Sequence, residues 1–259
     1  MILAKIIQTK MKEVEKLAQP GWKEQALALL PHLPAPRDFR AGLEGRDTAI
    51  IAEIKRASPS RGILRENFDP ADLARLYESS GAAAISVLTD EPFFQGHKNH
   101  LSQVKAASSL PVLRKDFLLD ELQILESRLL GADAILLIAR IVKGPKLAAL
   151  VNFAQSLGLA PLVEVHTQED LNWALTCGAG LVAINNRNLE TFTTDLKTTL
   201  QLAPLFPRDF LIVSASGISS RADIQALQKV GVRAFLVGES FMKTTDVRGK
   251  MRELMGKER

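Results

Sequence analysis

Residues 49–55 read Ala49-Ile50-Ile51-Ala52-Glu53-Ile54-Lys55, an apolar run that closes on alternating charge rather than on turn residues. A stretch this short and this apolar reads as a strand covered on both faces, as in a parallel sheet. Similar runs recur at 84–88, 111–113, 134–138, 161–165, 181–184, 210–213 and 234–237. Segments of helical spacing separate them, and the repeat is roughly 20 to 35 residues, the length of one strand–helix unit. Eight alternating units predict an α/β chain closed into a single (β/α)8 TIM barrel, whose chemistry belongs at the C-terminal ends of the strands. Those ends carry Glu53 and Lys55, Lys115, Glu164, Asn185, Ser216 and Gly238.

A chain of 259 residues with 46% hydrophobic content can bury a large core, and single barrels commonly have this length. The expected organisation is an N-terminal helical extension at 1–48 packed on a barrel at 49–259, one domain in all. The net charge of +4 comes from interspersed Lys and Arg. No basic block with interleaved aromatics occurs, and the chain has a single Tyr, so nucleic acid is not an expected partner. Cys177 has no second cysteine to pair with, which fits a reducing compartment. The opening residues lack the pattern of a secretory leader and no apolar stretch reaches membrane-spanning length, so a cytoplasmic location without membrane contact is expected.

Ahead of the first strand, Leu3, Ile7, Met11, Val14 and Leu17 recur at three- and four-residue spacing and predict an amphipathic helix. Pro20 and Gly21 break it, and 26–30 predicts a second short helix before Pro31, Pro34 and Pro36. Such an extension either covers one end of the barrel and shields the site from water or simply packs against it.

Alternation puts Glu53 and Lys55 on the same side of their strand, toward the barrel interior, where unpaired charge is costly. They are either functional or a structural ion pair. The loop Ala57-Ser58-Pro59-Ser60-Arg61-Gly62 is small and basic, suited to closing over an anionic group. In Arg114-Lys115-Asp116, Lys115 would sit at the mouth with its proton affinity tuned by burial and nearby carboxylates. By alternation at least one of Arg114 and Asp116 should be an ordinary surface charge. Glu164 is flanked by apolar residues, unusual for a solvated carboxylate, whereas His166 beyond the strand end reads as a surface residue. His97 and His100 have helical spacing for a metal but no third ligand, so a polar loop is expected there. Asn185-Asn186-Arg187-Asn188 offers neutral donors and one guanidinium that orient carboxylates, hydroxyls or phosphates. Ser214-Ala215-Ser216-Gly217 and Gly238-Glu239-Ser240, at successive strand ends, let backbone N–H groups approach a phosphate.

Several long stretches resemble indole-3-glycerol phosphate synthase. They are Ile51-Ala52-Glu53-Ile54-Lys55-Arg56-Ala57-Ser58-Pro59-Ser60, Pro111-Val112-Leu113-Arg114-Lys115-Asp116-Phe117, Leu162-Val163-Glu164-Val165-His166 and Ile184-Asn185-Asn186-Arg187-Asn188-Leu189. Ser86-Val87-Leu88-Thr89-Asp90, Phe93-Phe94-Gln95-Gly96 and Ala234-Phe235-Leu236-Val237-Gly238-Glu239-Ser240 extend the resemblance over nearly the whole chain. It implies a carbon–carbon lyase of tryptophan biosynthesis, acting on a small phosphorylated substrate. Lys115 matches the general acid, Glu164 the carboxylate that handles later proton transfers, and Glu53 the residue that pairs with the lysine. Lys55 and Ser58 would hold anionic groups, and Asn185 and Arg187 would orient hydroxyls and carboxylate. Ser216, Gly217, Gly238 and Glu239 match the phosphate cradle, Glu239 chiefly through its backbone N–H. Phe94, Phe117, Leu137 and Leu189 match the apolar walls, with Pro59 nearby. The resemblance implies no metal and no organic cofactor. It also implies a monomer or weak homodimer, with at most transient contact with other enzymes of the pathway.

One departure stands out. The family pattern after strand seven is Ser-Glu-Ser-Gly, and this chain has Ala215 in place of the glutamate. Two readings follow: a working but slower synthase, or a degenerate paralogue that binds the ligand or a pathway partner without turnover.

Overall fold

The computed structural model describes residues 2–59, 61–188 and 190–257. Helices α1 (Ile2–Leu17) and α2 (Trp22–Leu29), a 3-10 turn (Leu30–His32) and α3 (Phe39–Leu43) precede the first strand. Strand β1 (Ala49–Ile54) is followed by a hairpin, β2 (Ala57–Ser58) and β3 (Gly62–Ile63). The other barrel strands are β4 (Ala84–Leu88), β5 (Val112–Lys115), β6 (Ala134–Ile138), β7 (Ala160–Val165), β8 (Leu181–Asn185), β9 (Leu211–Ala215) and β10 (Ala234–Val237). Between and after them lie α4 (Pro70–Ser79), α5 (Glu91–Phe94), α6 (Asn99–Ala107), α7 (Glu121–Leu129) and α8 (Pro145–Ser156). The remaining helices are α9 (Gln168–Thr176), α10 (Lys197–Leu202), α11 (Arg221–Gln228), α12 (Glu239–Lys243) and α13 (Val247–Met255).

Every barrel pairing is parallel, and β1 bonds to both β10 and β4, which closes the sheet. The expected (β/α)8 barrel is therefore the observed one. Strands β5, β8 and β9 outlast their apolar runs and end on Lys115, Asn185 and Ala215. Ladder bonds continue past the point where a side chain leaves the core for the mouth, so hydrophobicity reports burial rather than strand length.

Alternate side chains divide between two cores. Ile51, Leu113, Leu136, Ile138, Leu162, Val213 and Leu236 fill the barrel, and Phe39 and Leu43 of α3 pack into the same cluster. Ile50, Ala52, Ile54, Val87 and Leu137 face the helical layer. Leu137 was expected in the pocket wall, and parity corrects this: its neighbours Leu136 and Ile138 point inward. Parity also corrects the expectation for Arg114 and Asp116. An outward-facing side chain in this fold meets helices rather than water, and both residues are buried.

Helix α1 forms as expected, but its buried face is shifted. Met11 is 55% exposed, while Lys10 is buried at 1%. Helix α3, capped by Asp38 accepting from the Ala41 N–H at 2.9 Å, was not anticipated. No helix among the described residues is long and apolar enough to cross a membrane.

Candidate active site

The strand C-termini surround one cavity. β1 supplies Glu53, and Lys55 follows just past its end; Nζ of Lys55 lies 2.5 Å from Oε2 of Glu53. Burial pushes the Glu53 carboxyl up, but the positive charges of Lys55, Lys115 and Arg187 outweigh it, and the net shift is downward. Across the cavity, Lys115 at the end of β5 faces Glu164 of β7 at 3.3 Å. Burial would lower the Lys115 ammonium, yet Glu164 and then Glu53 raise it above the ordinary lysine value. Glu53 thus binds Lys55 directly and acts on Lys115 only at longer range, so the direct partner of Lys115 is Glu164 rather than the expected Glu53.

Second contacts fix these groups. Asn185 Nδ2 donates to Oε1 of Glu164 at 3.0 Å, and Asn185 Oδ1 accepts from the Arg187 backbone N–H at 3.0 Å. His166, expected at the surface, is half-buried, with Nδ1 2.6 Å from the Asn185 carbonyl. The Ser58 hydroxyl, in the hairpin strand β2, lines the cavity and is buried without a hydrogen-bond partner among the described residues.

At the ends of β9 and β10 the backbone comes close to the cavity. Ser216 and Gly217 both have left-handed φ, 68° and 80°, a conformation that costs an L side chain about 1 kcal/mol or more. Buried Asn186 holds this corner, donating to the Ser216 carbonyl at 3.0 Å and accepting from the Thr199 hydroxyl at 2.8 Å. Gly238 leaves room for Glu53, since a Cβ there would collide with the Glu53 carboxylate. Glu239 turns its carboxylate to Arg187 at 3.0 Å, Lys243 at 2.6 Å and Arg61 at 3.6 Å. Burial pushes its carboxyl up, but the hydrogen bonds from Lys243 and Arg187 hold it down at about 2.

Phe94 and Phe117 form an apolar corner, their ring centroids 6.0 Å apart, and Pro59 lines the same cavity. Leu189 lies outside the described residues. Leu88, Leu136, Ile138, Phe192, Ile218, Leu236 and Val237 also line the cavity and were missed. For Leu88, Leu136, Ile138 and Leu236 the signal was parity relative to Glu53 and Lys115. Val237 at the last position of β10, Ile218 beyond β9 and Phe192, with φ 59° in a loop, follow no such pattern. Ala215 is 1% exposed among the barrel-filling residues, between Asn185 and Leu236 in register. No cluster of three or more metal-ligating residues occurs among the described residues, His97 and His100 included.

Fold and site together define a (β/α)8 barrel that gathers two lysines, two buried carboxylates and an apolar corner at the C-terminal ends of its strands. The indole-3-glycerol phosphate synthase family model matches residues 3–254. The chain is 49% identical over 249 residues to the indole-3-glycerol phosphate synthase of Burkholderia vietnamiensis, covering 95% of each protein. It is 46% identical over 261 residues to that of Dehalococcoides mccartyi, covering 98% of this chain and 100% of that one. The chain belongs to the indole-3-glycerol phosphate synthase family. A solved 3-hexulose-6-phosphate synthase, 18% identical with a TM-score of 0.64, covers 82% of this chain and 100% of its own, and shares the fold alone.

Proposed function

We propose that the chain converts 1-(2-carboxyphenylamino)-1-deoxyribulose 5-phosphate into indole-3-glycerol phosphate, with loss of carbon dioxide and water. The observation that carries this reading is the pair of half-buried Lys115 and buried Glu164 at 3.3 Å, opposite Glu53 and beside the Phe94–Phe117 corner. Lys115 protonates the ketone oxygen as the aromatic carbon attacks, a step that needs an acid still charged in a partly desolvated site. Glu164 takes part in the later proton transfers and the departure of the hydroxyl, and Glu53 assists the dehydration. Lys55 and the unpartnered Ser58 hydroxyl hold anionic groups, while Asn185 and Arg187 orient hydroxyls and carboxylate. The phosphate sits between Ser216-Gly217 and Gly238-Glu239, and the aromatic ring lies against Phe94, Phe117 and Leu189, with Pro59 beside it.

In this reading residues 1–48 work with the barrel at 49–259 as one domain, in the cytoplasm, as a monomer or weak homodimer with no cofactor. Contacts with other enzymes of the pathway are at most transient. Ala215 supports a second reading, binding without turnover, because it brings no carboxylate to a place where the family pattern has one. Product fluorescence, followed in parallel with substrate binding, separates the two. Turnover establishes the synthase, and tight binding without turnover establishes the paralogue.

A further inference from the structure

The N-terminal helix sends one charged side chain into the protein. Lys10 is 1% exposed, and its Nζ lies 2.9 Å from Asp90 Oδ2 and 2.8 Å from Asp116 Oδ1. Glu13, one turn on, adds a third oxygen at 3.1 Å. Asp90 and Asp116 are themselves buried; Lys10 is the cation that meets Asp90, and Asp116 shares its neutralisation between Lys10 and the buried Arg114. Burial would lower the Lys10 ammonium, but Asp116 and Asp90 raise it well above the ordinary lysine value. Burial pushes the Asp116 carboxyl up, but Arg114 first and then Lys10 hold it down at about 2.

The two carboxylates do more than pair with Lys10. Asp90 Oδ1 caps α5, accepting from the N–H groups of Phe93 at 2.8 Å and Phe94 at 3.2 Å. Asp116 Oδ1 accepts from the Phe117 N–H at 2.8 Å. Its other oxygen accepts from Thr89 at 2.5 Å and from Arg114 at 3.3 Å. Arg114, fully buried, continues to Glu126 of α7 at 2.9 Å. One ammonium therefore bridges the two acceptors that fix the backbone of Phe94 and Phe117. Those rings come from different segments, Phe94 from α5 and Phe117 from the loop after β5, and have no covalent reason to keep their 6.0 Å spacing.

We propose that Lys10 is a positioning residue for the aromatic corner of the cavity, setting the separation of Phe94 and Phe117 through Asp90 and Asp116. The inference rests on reading that corner as the seat of the substrate's ring, and its primary test does not use turnover. Without the ammonium, Asp90 is left as a buried anion without its cation while Asp116 keeps Arg114, so the bridge between the two segments that carry the rings is lost and they move apart.

The test labels the phenylalanines with para-fluorophenylalanine and follows their 19F resonances in the full chain, with Phe94 and Phe117 assigned by single replacement. Lys10→Met should shift or broaden those two resonances and leave the others in place. In the same variant KM should rise by about 10-fold or more, with kcat changed far less and the affinity for inorganic phosphate unaltered. Should Lys10→Met not fold, Asp90→Asn decides, because it keeps the capping oxygen while removing the charge that meets Lys10. There the Phe94 resonance should move and that of Phe117 should stay. Unmoved ring resonances in a folded variant would overturn the proposal. So would a general shift of all phenylalanines with a matching loss of phosphate affinity, which marks overall loosening. A wild-type protein without turnover, whose ring resonances still answer to Lys10, would count against the synthase reading and for this one.

Discussion

Lys115 keeps its proton because two anions outweigh the cost of its burial, and Glu164 contributes more than Glu53. Lys115→Met should abolish ring closure while substrate binding persists, since a proton donor acts mainly in the transition state. Glu164→Gln should cut turnover by about 100-fold or more. Its residual activity carries a second signature: with the larger attraction gone and burial unchanged, the Lys115 ammonium is less favoured, so the alkaline limb of the pH–rate profile moves to lower pH. Wild-type rates in both variants would remove the chemistry from this pair. Ala215 poses the reverse experiment. A carboxylate there would stand one strand from Asn185 and favour the charged lysine, so Ala215→Glu should raise turnover by roughly 10- to 100-fold and move the alkaline limb upward. A lower rate would mean that the packing around Ala215, buried among Leu236 and Ala183, has no room for the longer side chain.

Strands and loops divide cleanly in what the sequence reveals. The apolar runs located all eight barrel strands, and polar residues interrupting them at 53, 115, 164 and 185 located the cavity, because charge in a buried strand has few structural uses. Leu137 went wrong by one residue, and one residue is a change of face in a strand. Arg114 and Asp116 were misjudged, and Lys10 went unremarked, for a different reason: a buried ion-pair network looks in sequence like ordinary surface charge, and only packing reveals it. Left-handed Ser216 carries no sequence mark either, because its conformation is imposed by Asn186 and the turn rather than by its side chain. Gly238 was read as an opening for phosphate, and the structure adds that it is also the space Glu53 occupies. Gly238→Ala should therefore lower kcat as well as weaken inorganic phosphate binding, since Glu53 must move aside. A loss confined to phosphate affinity would show that Glu53 tolerates the displacement.

On the scale of the molecule, the N-terminal segment runs the length of the barrel: Lys10 of α1 meets the strand C-termini, and Phe39 and Leu43 of α3 join the barrel-filling cluster beside Ala49, at the start of β1. Arg37 tethers the stretch between, donating to the carbonyls of Ser108 and Leu110 at 2.7 Å each. This layout has a consequence in time. The residues at the very start of the chain cannot take their places until the third barrel strand and its loop exist to receive them, so closure over the long intervening loop comes late and is slow. After dilution from denaturant, far-UV circular dichroism should recover first and ligand binding at the aromatic corner should trail it as a separate phase. Simultaneous recovery of the two signals would mean that the first helix docks as early as the barrel closes.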